Sequence, residues 1–308
     1  MAGANLPIIV GPTAVGKTAV ALALAQYLPL EVVSADSRQV YRRLDIGTAK
    51  PTPRERARLA HHGLDLINPG ERYSAGRFAK DAHTWIGAIR ARDRQPVVVG
   101  GTGLYIKALV DGLFLEPSFD PARRSALQRW TAALDARELL RWADRLDPRF
   151  AGGGRQRAAR AIEVVLLTGR PLIWWQIAAR EESGVRPWYV HLTVPRAVLH
   201  QRISNRAQEM VRRGLIEEVA AVLSEGHDAR ASGLDGIGIR EVVEYLHGRR
   251  PRDTVADAIA MNTRRYAKRQ ETWFRHQLSG RVLLLDATRS PEKLAADIAA
   301  AWEGRVQA

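Results

Sequence analysis

The sequence contains no cysteine among its 308 residues, so a disulfide framework and a thiolate metal site are both excluded. It has no apolar run long enough to cross a bilayer, and residues 1–7 lack the charged and apolar sections of a secretory signal. Low-complexity tracts are absent too, which argues against a disordered or fibrous protein. These absences predict a globular, cytoplasmic protein without a membrane partner.

Acidic residues are scarce relative to basic ones: the chain carries 33 Asp and Glu against 47 Lys and Arg, a formal net charge of +14. A positive field of this size suits a polyanionic partner such as a nucleic acid. Alternatively, arginines spread over solvated faces would account for the charge without any partner. Composition leaves both interpretations open, so the positions of the arginines must decide.

The segment GPTAVGKT, residues 11–18, has the form of a phosphate-binding loop. An apolar run precedes it and a helical pattern follows it, which is the order of strand, loop and helix that such a loop requires. Glycines let backbone N–H groups face phosphate oxygens, Lys17 adds a positive charge, and Thr18 offers a hydroxyl ligand to Mg²⁺. A plain turn between strand and helix is the alternative. The motif predicts a bound phosphate without naming the substrate.

Strand-like and helix-like runs alternate from residue 6 to residue 110, a pattern typical of a parallel sheet covered by helices. Helical patterns alone follow, until the apolar run WYVHLTV starts at Trp188. We therefore predict an α/β protein with a P-loop NTPase-like parallel sheet core covered by helices. Residues 1–112 and 187–308 would form this core, and residues 113–186 an all-helical insertion domain.

Asp36 follows the second predicted strand, at the edge where an open α/β sheet faces its ligand. Three interpretations compete for it. It could hold Mg²⁺ as in a P-loop ATPase, it could act as a general base, or it could be a surface residue that starts a turn with Ser37. Position alone leaves all three open.

The segment VVVGGTGLYIKAL ends a predicted buried strand in Gly100 and Gly101, followed by Thr102. A switch or motor ATPase would carry an acidic residue on such a strand to hold Mg²⁺ and activate water. Glycines there argue against water activation and favour a surface that binds a small molecule or a base. A tight turn between strand and helix is the alternative.

Taken together, GPTAVGKT, SADSRQVYRRLDIGTAKP and VGGTGLYIKAL resemble the tRNA dimethylallyltransferase family. The resemblance continues in the same order with RAIEV, HQRISNRAQEMVRRGLIEEV, GIGIREVVEYL and RRYAKRQETWFR, so it covers nearly the whole chain. One departure is visible. That family often carries an acidic residue where this chain reads Gly152, Gly153, Gly154 and Arg155.

The resemblance implies that dimethylallyl diphosphate is the phosphate ligand and that tRNA is the partner, bound through its anticodon stem-loop. The prenyl group would pass to the exocyclic amine of the adenosine beside the anticodon, with Mg²⁺ as cofactor. Lys17, Thr18 and Arg206 would stabilise the leaving diphosphate, and Asp36 would take the amine proton. The implied diphosphate-binding residues are Gly11, Pro12, Thr13, Ala14, Val15, Gly16, Lys17 and Thr18.

The resemblance also implies a set of tRNA-binding residues, since the adenine must leave its stack to react. The set is Asp36, Ser37, Arg38, Gln39, Thr102, Arg124, Gln156, Arg157, Arg160 and Arg240. Arg157 and Arg160 are three positions apart, so on a helix they would share a face and could grip two phosphates. For each arginine a solvated salt bridge is the alternative.

Other readings of the chain remain open at this point. An adenylate isopentenyltransferase would prenylate a free nucleotide, a small-molecule kinase would bind ATP at the phosphate loop, and an RNA-binding module would keep the loop only as structure. The histidines do not predict a metal site, because His61 and His62 are adjacent and point apart. In RRYAKRQETWFR we expect Tyr266 and Trp273 to lie in the core and some of the cations to touch RNA. We expect a monomer.

Overall fold

A computed structural model describes residues 5–112, 119–150, 152–178 and 183–306, with backbone alone at residues 176–178 and 305–306. The chain divides into two compact units. Unit 1 consists of Met1–Val110 and Gly184–Ala308, and unit 2 of Asp111–Ser183. In the described part of the chain, no helix is both long enough and apolar enough to span a membrane.

Unit 1 contains every strand that the structure describes. The strands are β1 Asn5–Val10, β2 Leu30–Ala35, β3 His61–His62, β4 Gln95–Gly100, β5 Arg186–Thr193 and β6 Val282–Asp286. The helices before unit 2 are α1 Lys17–Leu24, α2 Pro53–Arg58, α3 Ala75–Arg90 and α4 Gly103–Asp111. The later helices are α9 Arg196–Arg212, α10 Leu215–Ser224, α11 Ile239–Leu246, α12 Val255–Gln277 and α13 Pro291–Val306, with a 3₁₀ turn at Arg252–Thr254.

The strands form one six-stranded sheet in the order β3-β2-β4-β1-β5-β6, and every pairing is parallel. Ile8 of β1 pairs with Val98 on one side and Tyr189 on the other. Parallel strands with both faces covered read as nearly continuous apolar runs, and β1, β2 and β4 do so. The predicted parallel sheet covered by helices is confirmed.

Neighbouring residues of a central strand pack into different cores. Ile9 belongs to the larger core, together with Trp188 and residues of α1, α9 and α12. Ile8 and Val10 belong to a second core, which includes Phe78 of α3. Because successive side chains of a strand point to opposite faces, this division means that helices cover both faces of the sheet. The two cores lie on the faces of the sheet, so the edge formed by the carboxyl ends of the strands is available for a site.

Unit 2 contains four helices in its described residues: α5 Pro121–Ala133, α6 Ala136–Leu146, α7 Arg155–Thr168 and α8 Leu172–Ala178. Their core is small and joins Leu139 and Ala143 of α6 to Ala158 and Ile162 of α7. Asp135 caps α6, since its carboxylate accepts the Glu138 N–H at 2.8 Å. The helical pattern predicted for this region is confirmed in those residues.

Three details differ from the sequence-based expectation. The helical pattern after the phosphate loop predicts a helix from Lys17 to about Leu28, but α1 ends at Leu24 because turns occupy the residues that lead into β2. The short elements α2 and β3 were not predicted, since so few residues show no periodicity. The sequence pattern also predicts a helix from Leu172 to Glu182; α8 is described from Leu172 to Ala178, and residues 179–182 lie outside the described residues.

Candidate active site

The phosphate loop joins β1 to α1 at the carboxyl edge of the sheet. Gly11 has φ +148°, and a Cβ there would lie 2.6 Å from the Leu192 carbonyl oxygen, so a side chain does not fit. The Nζ of Lys17 donates to the carbonyl oxygens of Gly11 and Pro12, each at 2.8 Å. The loop therefore curves around the Lys17 ammonium, as a phosphate-binding loop requires.

Burial lowers the pKa of Lys17 to about 8, the nearby Asp36 carboxylate opposes that shift, and Arg206 adds to it. Lys17 forms no ion pair with any other residue in the described part of the chain, since both of its partners are neutral carbonyl groups. The ammonium therefore has charge to offer to an anion.

A single cavity of about 1040 Å³ opens at this edge of unit 1. It brings together residues that are far apart in the sequence and come from the loop, from the end of β2, and from α9, α11 and α12. The predicted residues that line it are Thr13, Ala14, Val15, Gly16, Lys17, Thr18, Asp36, Ser37, Arg38, Gln39, Arg206 and Arg240. The structure thus joins most of the predicted site residues of unit 1 in one space.

Asp36 lies at the cavity in the turn that follows β2. One oxygen of its carboxylate, Oδ1, accepts the Arg38 N–H at 2.8 Å. This bond is the turn that the surface interpretation proposed, yet the side chain is half-buried and lines the cavity. Because one carboxylate accepts several hydrogen bonds, the turn leaves Asp36 able to act on a ligand as well.

Arg206 projects from α9 into the same cavity. Its guanidinium forms no hydrogen bond and no ion pair with another residue among those that the structure describes. Burial lowers the pKa of Arg206, and the Asp36 carboxylate opposes that shift. A guanidinium is a strong, planar donor to phosphate oxygens, so this position suits an anionic ligand.

Thr102 supports the turn that carries Asp36. Its Oγ1 accepts the backbone N–H of Ser37 at 3.0 Å and donates to the Ser37 hydroxyl at 3.3 Å. Nearby, the pKa of Tyr266 rises to about 12 because burial and the Asp36 charge both disfavour a phenolate. Tyr266 lines the cavity, so the expectation that it lies in the core was wrong.

Two further predicted RNA contacts of unit 1 already have protein partners. Gln39 accepts the Ser34 hydroxyl at 2.9 Å, and its Nε2 donates to the Ala49 carbonyl at 3.2 Å. Arg38 donates to the Ser232 carbonyl at 2.9 Å and is paired with Asp235. These bonds hold the loop after β2 in place, which gives Gln39 and Arg38 a structural role independent of any ligand.

The predicted contacts of unit 2 lie mainly on α7. Arg160 is half-buried and contacts Glu163 at 2.6 Å, and Arg124 of α5 contacts the same carboxylate at 2.9 Å. Gln156 and Arg157 are exposed on α7. For Arg160 and Arg124, the salt-bridge alternative therefore describes part of what they do. Their predicted contact with RNA stays a prediction.

Sequence reasoning missed two residues that hold the site together. Arg202 donates to the Val15 carbonyl at 3.0 Å and to the Ala287 carbonyl at 2.9 Å, so it braces the phosphate loop from α9. Gln270 of α12 accepts the Thr13 N–H at 2.9 Å. The signal was available in part, because Arg202 precedes Arg206 and Tyr266 precedes Gln270 by one helical turn.

No histidine is among the described residues that line the cavity. His61 contacts the Leu59 carbonyl at 2.7 Å, and His62 contacts Glu31 at 2.7 Å. In the part of the chain that the structure describes, no group of three or more His, Asp or Glu residues could hold a metal ion. A cation at this site would have to draw on hydroxyl groups and on the oxygens of a bound ligand.

Comparison with protein families identifies two matching models. One, described as IPP transferase, matches residues 39–277, and the other, described as isopentenyl transferase, matches residues 4–68. A tRNA dimethylallyltransferase of Aromatoleum aromaticum is 44% identical over 306 residues, which cover 96% of this chain and 95% of that protein. The tRNA dimethylallyltransferase of Carboxydothermus hydrogenoformans is 39% identical over 277 residues, which cover 88% of this chain and 89% of that protein.

Solved structures give the same result. The tRNA isopentenylpyrophosphate transferase of Bacillus halodurans is 34% identical, with a TM-score of 0.72 over 98% of this chain and 97% of that chain. A eukaryotic dimethylallyltransferase whose structures were determined acting on tRNA is 25% identical, with a TM-score of 0.76. That likeness covers 92% of this chain and 74% of the eukaryotic one.

Proposed function

Since the chain belongs to the IPP transferase family, we propose that it transfers a dimethylallyl group from dimethylallyl diphosphate to tRNA. The acceptor is the exocyclic amine of the adenosine beside the anticodon, and diphosphate is released. One observation in this structure carries the proposal: Lys17 and Arg206, two cations without a carboxylate partner among the described residues, share a cavity with Asp36.

The cations act on the donor. As the bond between the prenyl carbon and the diphosphate oxygen breaks, negative charge grows on the departing group. Lys17, Arg206 and the backbone N–H groups at the start of α1 stabilise that charge. Removing one such donor from an active site typically costs on the order of 10²–10³ in rate.

Asp36 acts on the acceptor. The adenine amine is a weak nucleophile because its lone pair is delocalised into the ring. As the new bond between nitrogen and carbon forms, the carboxylate of Asp36 takes the proton that the amine loses. Ser37 and Thr102 fix the turn that carries this carboxylate, which keeps it at the cavity.

Magnesium fits the oxygen chemistry of the cavity, and Thr18 would hold it. Thr18 lies in the first turn of α1 and lines the cavity. Mg²⁺ prefers oxygen ligands and usually takes several of them from phosphates and water, so the Thr18 hydroxyl would supply one ligand among these. When bound, the ion would neutralise charge on the diphosphate.

The tRNA partner accounts for the net charge of +14. We assign the adenosine to Asp36, Ser37, Gln39 and Thr102, and the surrounding anticodon stem-loop to a second set of residues. That set is Arg38, Arg124, Gln156, Arg157, Arg160 and Arg240. We also propose that the protein acts as a monomer in the cytoplasm.

A transfer assay tests this function. Purified protein, Mg²⁺ and dimethylallyl diphosphate are incubated with unmodified tRNA or with adenosine phosphates, and the digested nucleosides are weighed. We expect a five-carbon gain on the adenosine after the anticodon, with none on the free nucleotides. A gain on free nucleotides alone would identify a nucleotide-prenylating enzyme instead, and ATP consumption without prenyl transfer would identify a kinase.

A further inference from the structure

The buried side-chain amide of Gln270 links two turns at the ligand edge of the sheet. Its Oε1 accepts the Thr13 N–H at 2.9 Å, and its Nε2 donates to the Gly101 carbonyl at 2.9 Å. Only 6% of Gln270 is exposed. Because an amide oxygen only accepts and an amide nitrogen only donates, these two partners fix the orientation of the group. The proposed transfer mechanism gives this residue no part in the chemistry.

The two turns serve the two substrates. Thr13 belongs to the loop assigned to the diphosphate, directly after β1. Gly101 directly follows β4 and precedes Thr102, which holds the turn of Ser37 and Asp36 on the acceptor side. Strands β1 and β4 are neighbours, with Val10 paired to Gly100. Gln270 therefore joins the donor side to the acceptor side at the point where they meet.

We propose that Gln270 is a positioning residue that sets the separation between the diphosphate loop and the turn behind Asp36. Because the Thr13 N–H is bonded to Gln270, it is not available to the diphosphate. Gln270 therefore affects the donor through the shape of the loop. This inference rests on the proposed prenyl transfer, in which the prenyl carbon and the adenine amine must be held at reacting distance. Misplacing reacting groups by about 1 Å can cost roughly 10² in rate.

Gly101 shows how closely Gln270 fits. A Cβ at Gly101 would lie 2.3 Å from the Nε2 of Gln270, far inside contact distance. That nitrogen is the end of a flexible side chain, so an added methyl group would push the amide away and leave the backbone in place. Gly101→Ala should therefore break the bridge while Gln270 is still present.

The first test compares Gln270→Leu, Gly101→Ala and the double variant in the transfer assay, with Gln277→Leu as the control. Gln277 is exposed at the end of the same helix. In each single variant we expect kcat to fall about tenfold or more, with the KM of each substrate changed only a few-fold. The double variant should be no slower than the slower single variant, because both changes remove one bridge.

The second test uses Gln270→Glu and the pH. An ionised carboxylate cannot donate to the Gly101 carbonyl, whereas a protonated acid can donate to it and still accept the Thr13 N–H. The rate of Gln270→Glu relative to wild type at the same pH should therefore rise as the pH falls. The same ratio for Gln270→Leu should stay flat. Taking ratios removes the pH dependence that both enzymes share.

These outcomes decide the proposal. Unchanged kcat in Gln270→Leu with a lower melting temperature would reduce Gln270 to a packing role and overturn it, as would additive losses in the double variant. If Gln270→Leu does not fold, Gly101→Ala and Gln270→Glu carry the test. Variants that match an active wild type refute this inference alone, whereas an inactive wild type refutes the proposed function and this inference with it.

Discussion

Lys17 and Arg206, which line the cavity of unit 1, differ from Arg124 and Arg160 of unit 2 in whether a carboxylate already neutralises them. In unit 2, Arg124 and Arg160 both contact the carboxylate of Glu163, at 2.9 and 2.6 Å. In the cavity, Lys17 has only neutral carbonyl partners, and Arg206 contacts no carboxylate among the described residues. A cation without a carboxylate partner can bind an anion directly, whereas a paired one must give up or share its partner.

This difference explains why a count of arginines is a weak guide to function. Each paired arginine contributes to the net charge of +14 and therefore to the long-range field that attracts RNA. The contribution of that arginine to a specific contact is smaller, because its partner must be displaced first. The comparison predicts that variants in the cavity have larger effects than variants in unit 2.

The largest effect is expected for Asp36→Ala. Losing a general base typically lowers the rate by about 10²–10⁴, and tRNA binding should stay within a few-fold because the cations remain. Asp228→Ala is the matched control. Asp228 accepts the Arg230 N–H at 2.8 Å, as Asp36 accepts the N–H two residues ahead of it, but Asp228 does not line the cavity. The measurements are the single-turnover rate and the tRNA dissociation constant. An active Asp36→Ala enzyme would contradict the assigned role.

Arg206→Ala should have the next largest effect, on use of the donor. We expect kcat/KM for dimethylallyl diphosphate to fall by about 10²–10³, because the guanidinium supports the departing charge. Arg212→Ala is the control on the same helix, where Arg212 is exposed and paired with Glu209. Equal values of kcat/KM in the two variants would mean that Arg206 contributes no more to use of the donor than a paired surface arginine does.

Lys17 gives a prediction about pH. With a pKa of about 8, the Lys17 ammonium is charged below that pH and increasingly neutral above it. Donor affinity should therefore be highest below about pH 8 and fall as the pH rises, by up to about tenfold per unit. The measurement is the donor KM from pH 7 to pH 9.5. Lys17→Arg should flatten the profile, because an arginine stays charged throughout this range. A flat profile in the wild type would contradict the role of Lys17.

The smallest effects are expected in unit 2, where the structure predicts different losses of tRNA affinity for two nearby arginines. Arg157→Ala should weaken tRNA binding more than Arg160→Ala, because Arg160 is already bound to Glu163 and Arg157 is exposed. Losing one phosphate contact should reduce the slope of log affinity against log salt by about 1. Arg137→Ala, at an exposed position of α6, is the control. The reverse ranking would show that RNA displaces the Glu163 pair.

Much of the cavity could be predicted from the sequence because its key parts are local. The phosphate loop lies within eight consecutive positions, and Asp36 and Thr102 lie one and two residues after strands that a parallel sheet brings to one edge. The role of Arg206 came only from family resemblance, since nothing in its neighbourhood along the chain marks it.

Other features depend on contacts that a single sequence does not reveal. Thr13 and Gln270 are separated by 257 positions, and Arg202 and Val15 by 187, yet each pair is joined by a hydrogen bond. The pairing of Glu163 with Arg124 likewise joins two helices. Tyr266 was assigned to the core because an aromatic residue on a helix usually packs there, and only the fold shows that this face of α12 borders the cavity.

The most direct test of the account is a single-turnover reaction with enzyme in excess over tRNA, in which prenylated adenosine and released diphosphate are measured together. The account predicts that both rise at one rate in the wild-type enzyme. It predicts that neither rises appreciably in Asp36→Ala, although that variant binds both substrates. Diphosphate release without prenylated adenosine, or undiminished transfer by Asp36→Ala, would contradict the claim that this cavity performs the transfer.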